Sequence, residues 1–295
     1  MPSVFNLDTK AFALCEDLEL LARTIVEGFF DGLHRSPFLG YSTEFSAYRP
    51  YSQGDDLRRI DWKVWGRTDE LYVKQFEDDT NLRCQLFLDT SASMDFGRGD
   101  ANKFHYGRVL AAVLAQLMTR QHDAPGLILF SEQASQAVPP VASRHHADPI
   151  FIALSQAQAA GRTVLGQNLI PVLESLNRRG VAVVISDFFS PGETAFQLLG
   201  QLRAQEQEVI VFQLLAPEEL DLPFEGDVVM EDSETGEELP VQADEFRREY
   251  QQRLEDFCNR LAHECLKLEI DYCRMRTDAP LDAALLHYFD WRNGI

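Results

Sequence analysis

Three oxygen-bearing side chains at alternate positions, Asp89, Ser91 and Ser93, follow directly on the apolar run Leu86-Phe87-Leu88. An apolar strand that ends in an acid and two hydroxyls is where an open α/β sheet presents its ligand. A second apolar run, Val181 to Ser186, also ends in an acid, Asp187, and a third hydroxyl, Thr163, stands in the loop Ala160-Gly161-Arg162-Thr163. Asp89, Ser91, Ser93, Thr163 and Asp187 are hard oxygen donors with no His or Cys among them, a set that suits Mg²⁺, Mn²⁺ or Ca²⁺ and disfavours zinc. Such a set leaves coordination positions for water, and so for a carboxylate from another molecule. A helix cap is the plainer role for Asp89, but capping accounts for one residue and not for three separated motifs.

Catalysis is the competing possibility, because a strand-end aspartate can accept a phosphoryl group beside magnesium. A phosphatase of the haloacid dehalogenase type has a second Asp two residues on, and this chain has Ser91 there. No G-x-S-x-G elbow, G-x-x-x-x-G-K-[ST] loop or dinucleotide fingerprint occurs either. The residues therefore point to binding and not to an enzyme.

These side chains need elements to hold them. From Leu82 the pattern alternates strands and helices: a strand at Leu82–Leu88, a helix at Ala101–Gln121 with Asp100 as its cap, and a strand pair at Gly126–Ser131 and Gln133–Val138. The second of the pair is placed at an edge by Pro139-Pro140. Helices follow at Asp148–Ala159 and Gly166–Arg179, then a buried strand at Val181–Ser186, a helix at Thr194–Gln205 and a strand at Glu208–Leu215. Strands separated by helices imply a doubly wound, mostly parallel sheet with both faces covered.

After the alternation comes an acidic stretch whose segments Asp227–Asp232 and Glu238–Gln242 flank Ser233-Glu234-Thr235-Gly236 as a hairpin. A helix at Asp244–Cys265, a strand near Leu268–Met275 and a helix at Leu281–Trp291 close the chain. Ahead of the sheet, an amphipathic helix spans about Asp8 to Phe30 and stops at Gly28 to Gly32, followed by strand-like pieces at Ser42–Tyr48 and Glu70–Phe76. The division expected is an N-terminal helix and β/irregular extension over residues 1–80, and an α/β domain over 81–295 with an acidic hairpin insertion near 218–243.

Composition sets further bounds. With 27 Lys and Arg against 47 Asp and Glu, the formal net charge is −20, which repels a nucleic-acid backbone over most of the surface. The 5 cysteines form no C-x-x-C pair, so neither a zinc site nor a disulfide framework is indicated. No apolar run approaches the ~18 residues of a membrane span. A cytoplasmic protein with no membrane role is the expectation.

The three motifs together resemble the von Willebrand factor A fold, whose metal-ion-dependent adhesion site has the pattern D-x-S-x-S, a later Thr and a later Asp. The resemblance assigns Asp89, Ser91 and Ser93 to the first motif, Thr163 to the second and Asp187 to the third. A longer signature precedes the sheet: Glu44-Phe45, Arg49, Tyr51, Gly54-Asp55-Asp56, Arg58, Ile60-Asp61-Trp62, Arg67 and Lys74-Gln75-Phe76-Glu77. It resembles the bacterial family of the domain of unknown function 58, and with the sheet the likeness covers roughly residues 28 to 291.

Membership would imply association with a MoxR-type AAA+ ATPase and chaperone-like maturation of client proteins. Many members also carry transmembrane helices, which this chain does not show. Within the signature, Asp55, Asp56 and Asp61 could pair with Arg49, Arg58, Arg59 and Arg67 to pin an irregular segment, with Trp62 and Trp65 beneath. Alternatively Arg49, Arg58, Arg59, Trp62 and Arg67 form a partner-binding rim, since Arg and Trp are common interface anchors.

Overall fold

The computed structural model describes residues 18–35, 47–50, 72–75, 82–131, 136–143, 146–161, 179–189, 194–231 and 237–285. The chain divides into two compact units, Phe30–Asn81 and a larger one made of Met1–Phe29 with Leu82–Ile295. The described residues 18–29 group with the unit that holds the main sheet. Within the smaller unit, β1 (Ala47–Pro50) pairs antiparallel with β2 (Tyr72–Gln75). Helix α1 (Leu18–Arg35) continues through Gly28 and Gly32, so the stop expected at those glycines is not where the helix ends. Leu21, Ala22, Ile25 and Val26 are buried at helical spacing, and that apolar stripe outweighs the modest helix cost of two glycines, about 1 kcal/mol each.

The larger unit is built on six strands: β3 (Arg83–Asp89), β4 (Ala124–Phe130), β5 (Gln136–Val138), β6 (Val181–Ser186), β7 (Glu208–Leu215) and β10 (Asp271–Arg276). Their spatial order is β10-β7-β6-β3-β4-β5. Neighbours are parallel except β5, which runs antiparallel to β4 at the edge ahead of Pro139. Parallel strands covered on both faces read as unbroken apolar runs, and every residue of β4 and β6 is buried. From β3 the chain moves to β4 on one side and later to β6 on the other. The order therefore reverses between β3 and β6, the crevice where such sheets bind ligands.

Among the described residues five helices accompany the sheet: α2 (Lys103–Arg120), α3 (Ala147–Gln156), α4 (Thr194–Ala204), the short α5 (Pro217–Asp221) and α6 (Ala243–Lys267). One core cluster joins Phe87, Ile128, Val184 and Val211 of the sheet to Leu198, Leu199 and Leu202 of α4 and Leu261 and Cys265 of α6. On α2, Gly107 permits a close approach: a Cβ there would lie 3.0 Å from Leu88 Cδ1 and 3.2 Å from Leu214 Cδ1. That contact draws the first turn of α2 down toward the ends of β3 and β7.

The cap of α2 is Asn102, whose side chain accepts the His105 N–H, in place of Asp100. Asp100 sits instead in a preceding 3-10 turn, Gly99–Ala101. Helix α6 runs to Lys267, so the last strand begins at Asp271 and not near Leu268. The acidic stretch forms the expected hairpin, β8 (Asp227–Glu231) against β9 (Glu238–Gln242), as a separate two-stranded sheet. The helix expected at 166–179 lies outside the described residues. Among those described, no helix is long and apolar enough to cross a membrane, and Cys84, Cys258, Cys265 and Cys273 are free thiols.

Candidate functional site

Asp89 ends β3, and Ser186 ends β6 on the neighbouring strand, so the two meet at the crevice. Asp89 is fully buried, as are Ser91 and Asp187. Its Oδ1 accepts the Ser91 N–H at 2.9 Å and its Oδ2 accepts the Ser186 hydroxyl at 2.5 Å. Ser91 Oγ and Ser93 Oγ lie 3.0 Å apart, which brings two hydroxyl oxygens and a carboxylate into one turn. That turn is tied down by backbone bonds from Thr90 N–H to Phe130, from Ala92 N–H to Gly161 and from Ala160 N–H to Thr90. The chain thus reaches the site at Gly161, while Thr163 lies outside the described residues.

Beyond β6 the backbone folds back on itself. Ser186 Oγ accepts the Phe188 N–H at 2.8 Å, and Asp187 Oδ1 accepts the Phe189 N–H at 3.0 Å. Phe188 takes a φ of 62°, a left-handed conformation that disfavours a side-chain-bearing residue. Its buried ring anchors it there, and strain of this kind collects at functional sites.

The other oxygen of Asp187 holds a partner that the sequence motifs do not announce. Lys103, at the first position of α2 and fully buried, donates to Asp187 Oδ2 at 2.7 Å and to Glu219 Oε1 at 2.5 Å. Its ammonium lies 5.0 Å from the Phe189 ring centroid and 5.6 Å from that of Phe96. Glu219, on α5, accepts the Ala216 N–H through Oε2 at 2.8 Å. Burial opposes the charge on Lys103, but Asp187 and Glu219 outweigh it and hold the ammonium above the ordinary lysine range. Burial pushes Glu219 up, against the pull of Lys103 and the Ala216 N–H.

Electrostatics test whether the site fits a cation. Burial, and then the charge of Asp187, push Asp89 up to about 7, against hydrogen bonds from Ser186 and Ser91. Asp187 and Glu219 share one ammonium, and the charge of Asp187 acts in turn on Asp89, so three carboxylates are linked to a single cation. When all are ionised two negative charges stay uncompensated, which a buried site tolerates only with a proton or a cation. One divalent ion restores neutrality, and the donors at Asp89, Ser91 and Ser93 are of the hard oxygen type that Mg²⁺, Mn²⁺ and Ca²⁺ take. The residues present fit such an ion.

Of the five residues expected to bind metal, Asp89, Ser91, Ser93 and Asp187 come together at the crevice between β3 and β6. Both oxygens of Asp187 already accept hydrogen bonds, Oδ1 from the Phe189 N–H and Oδ2 from Lys103. Arg49 lies on β1, and Arg58, Arg59, Trp62 and Arg67 fall outside the described residues. Ser186, Lys103 and Glu219 were not singled out from the sequence. A lysine at the first position of a helix was the available signal, because a cation there opposes the helix dipole and needs another reason to be present.

Fold and site together define an α/β domain with a doubly wound, mostly parallel sheet and hard oxygen donors gathered at its switch point. The chain belongs to the family described as protein of unknown function DUF58, which it matches over residues 47–257. It is 32% identical over 234 residues to an uncharacterized protein of Mycobacterium tuberculosis, covering 78% of this chain and 73% of that one. An uncharacterized protein of Mycobacterium avium is 35% identical over 103 residues, which is 34% of this chain and 59% of the relative.

Among solved structures, the conserved hypothetical protein BatB from Bacteroides thetaiotaomicron aligns over 72% of this chain and 98% of its own, at 13% identity and a TM-score of 0.43. An aerotolerance-related membrane protein from Bacteroides fragilis aligns over 72% and 100%, at 16% identity and a TM-score of 0.46. The SpRpn10 VWA domain aligns over 45% and 75%, at 14% identity and a TM-score of 0.33. Likeness at this level concerns the chain path and not activity.

Proposed function

We infer that this chain is a non-enzymatic protein-binding module whose contact is made through a divalent cation. The observation that carries the reading is the convergence of the Asp89 carboxylate with the Ser91 and Ser93 hydroxyls, 3.0 Å apart, at the sheet's switch point. Asp89, Ser91 and Ser93 would hold Mg²⁺, or Mn²⁺ or Ca²⁺ in its place, with Thr163 completing the set and Asp187 contributing its charge from beside it. The ion, when bound, supplies an open coordination position for an Asp or Glu side chain of a partner. Asp89 contributes its charge, Ser186 orients the carboxylate, and the Ser91–Ser93 pair fixes the hydroxyls. Ser91 Oγ bonds to another hydroxyl and not to a general base, an arrangement that suits a ligand better than a nucleophile.

The partner favoured is a MoxR-type AAA+ ATPase, with this chain as its accessory in chaperone-like maturation of a client in the cytoplasm. The Arg49 to Arg67 signature supports that reading, as does membership of the DUF58 family. Co-precipitation of the ATPase with wild type and with Asp89→Ala, in magnesium and in EDTA, tests it. Recovery should be strong only with wild type in magnesium, and equal recovery in all four samples overturns the metal bridge. An adhesion or signalling scaffold without an ATPase would instead show metal-dependent capture of some other acidic ligand.

A further inference from the structure

The buried ion group of Lys103, Asp187 and Glu219 calls for an explanation that fold stability does not supply. Lys103 occupies the first turn of α2, where the helix dipole disfavours a cation, and burying three charges costs more than an apolar replacement of the same volume. Yet its ammonium is directed at Asp187, the residue after β6 that faces Asp89 across the crevice. With Phe189 N–H on Oδ1 and Lys103 on Oδ2, Asp187 has both oxygens engaged by donors. Glu219 shares the ammonium from the other side, and so sets how much of its charge Asp187 receives.

We propose that Lys103 is a resident cation that regulates the divalent site, holding Asp187 out of direct coordination and setting, together with Glu219, the negative charge available to the bound ion. The inference rests on Asp89, Ser91 and Ser93 forming that site. In this arrangement Lys103 and Glu219 are positioning residues: neither touches the ion, and each changes its affinity through Asp187. The design keeps binding weak enough to be reversible, because a second carboxylate on the ion would hold it more tightly.

Calorimetric titration of Mg²⁺ and Mn²⁺ into wild type, Lys103→Met and Glu219→Gln separates the possibilities. Lys103→Met removes the ammonium and frees Asp187 Oδ2, so its affinity should rise about 10-fold or more, the scale on which partners of metal ligands act. Glu219→Gln leaves the whole ammonium to Asp187, and its affinity should fall by a comparable factor. Both variants weakening the site would mark a purely structural group and overturn the proposal. Wild-type binding with unchanged affinity in the variants also overturns it, while the cation site itself stands. Silence in all three proteins removes the cation site and this proposal together, whereas binding by Lys103→Met alone supports it. Should Lys103→Met not fold without metal, Glu219→Gln, which retains the Lys103–Asp187 pair, decides alone: equal or tighter binding rejects the proposal.

Discussion

Asp89 is the residue on which the behaviour of the metal-free protein turns. Its folded pKa of about 7 lies above the unfolded value of 3.8, because burial and the Asp187 charge disfavour the carboxylate. Asp187 faces it from the end of β6, and Lys103 and Glu219 stand beyond Asp187 from α2 and α5. A carboxyl raised in this way keeps its proton in the folded state where the unfolded chain has released it, so stability falls as pH rises. The loss runs between those two values and reaches ~4 kcal/mol above the upper one. Denaturant melts in EDTA from pH 4 to pH 8 should show that decline, and Asp89→Asn should flatten it. Saturating Mg²⁺ should likewise remove the slope in wild type by taking the place of the proton; at 100 times its dissociation constant the ion adds about 2.7 kcal/mol.

At the scale of elements, the site depends on how closely α2 lies on the sheet. Gly107, one turn after Lys103, is the contact that sets this distance, with Leu88 of β3 and Leu214 of β7 beneath it. Gly107→Val would press branched methyl groups into those leucines and lift the first turn of α2. The cost should be about 1–3 kcal/mol, read as a lower urea midpoint with an unchanged slope. Lys103 would move with the helix, so the variant should also alter divalent affinity even though the atoms nearest a Cβ at residue 107 belong to Leu88, Leu214 and Ile185. The α2 boundary was legible to within two residues from apolar periodicity, but its cap was not. Asp100 and Asn102 are both good capping residues, and only the 3-10 turn at Gly99–Ala101 determined which one meets the free N–H groups.

For the whole molecule, the formal charge of −20 is a long-range repulsion that compaction must overcome. Screening shortens to ~10 Å at 0.1 M salt, so raising NaCl from 10 to 300 mM should increase the melting temperature, by an amount that shrinks once the Debye length falls below the spacing of surface acids. Buried pairs such as Lys103–Asp187 are screened far less, and Lys103→Met should retain the same salt response. A melting temperature that falls with salt would mean that attractive surface pairs, such as Arg276 with Asp221 and Asp278, outweigh the net repulsion.

Sequence by itself determined the alternation of strands and helices, the parallel sheet, the edge position of β5, the acidic hairpin and the placing of Asp89, Ser91, Ser93 and Asp187 at strand ends or in the turn that follows. These follow from periodicity and from local chemistry, which act between residues near one another in the chain. It misplaced the end of α1, because glycines count as breakers locally while a buried apolar stripe stabilises the helix through packing. Only the tertiary structure decided that Asp187 is already engaged by Lys103. That ammonium comes from 84 residues away, and Glu219 meets it across 116. Lys103 at a helix start hints at a hidden partner, but nothing near it in the chain names Asp187 or Glu219; their meeting is set by the strand order that places β3, β6 and β7 side by side and by the close seat of α2 at Gly107.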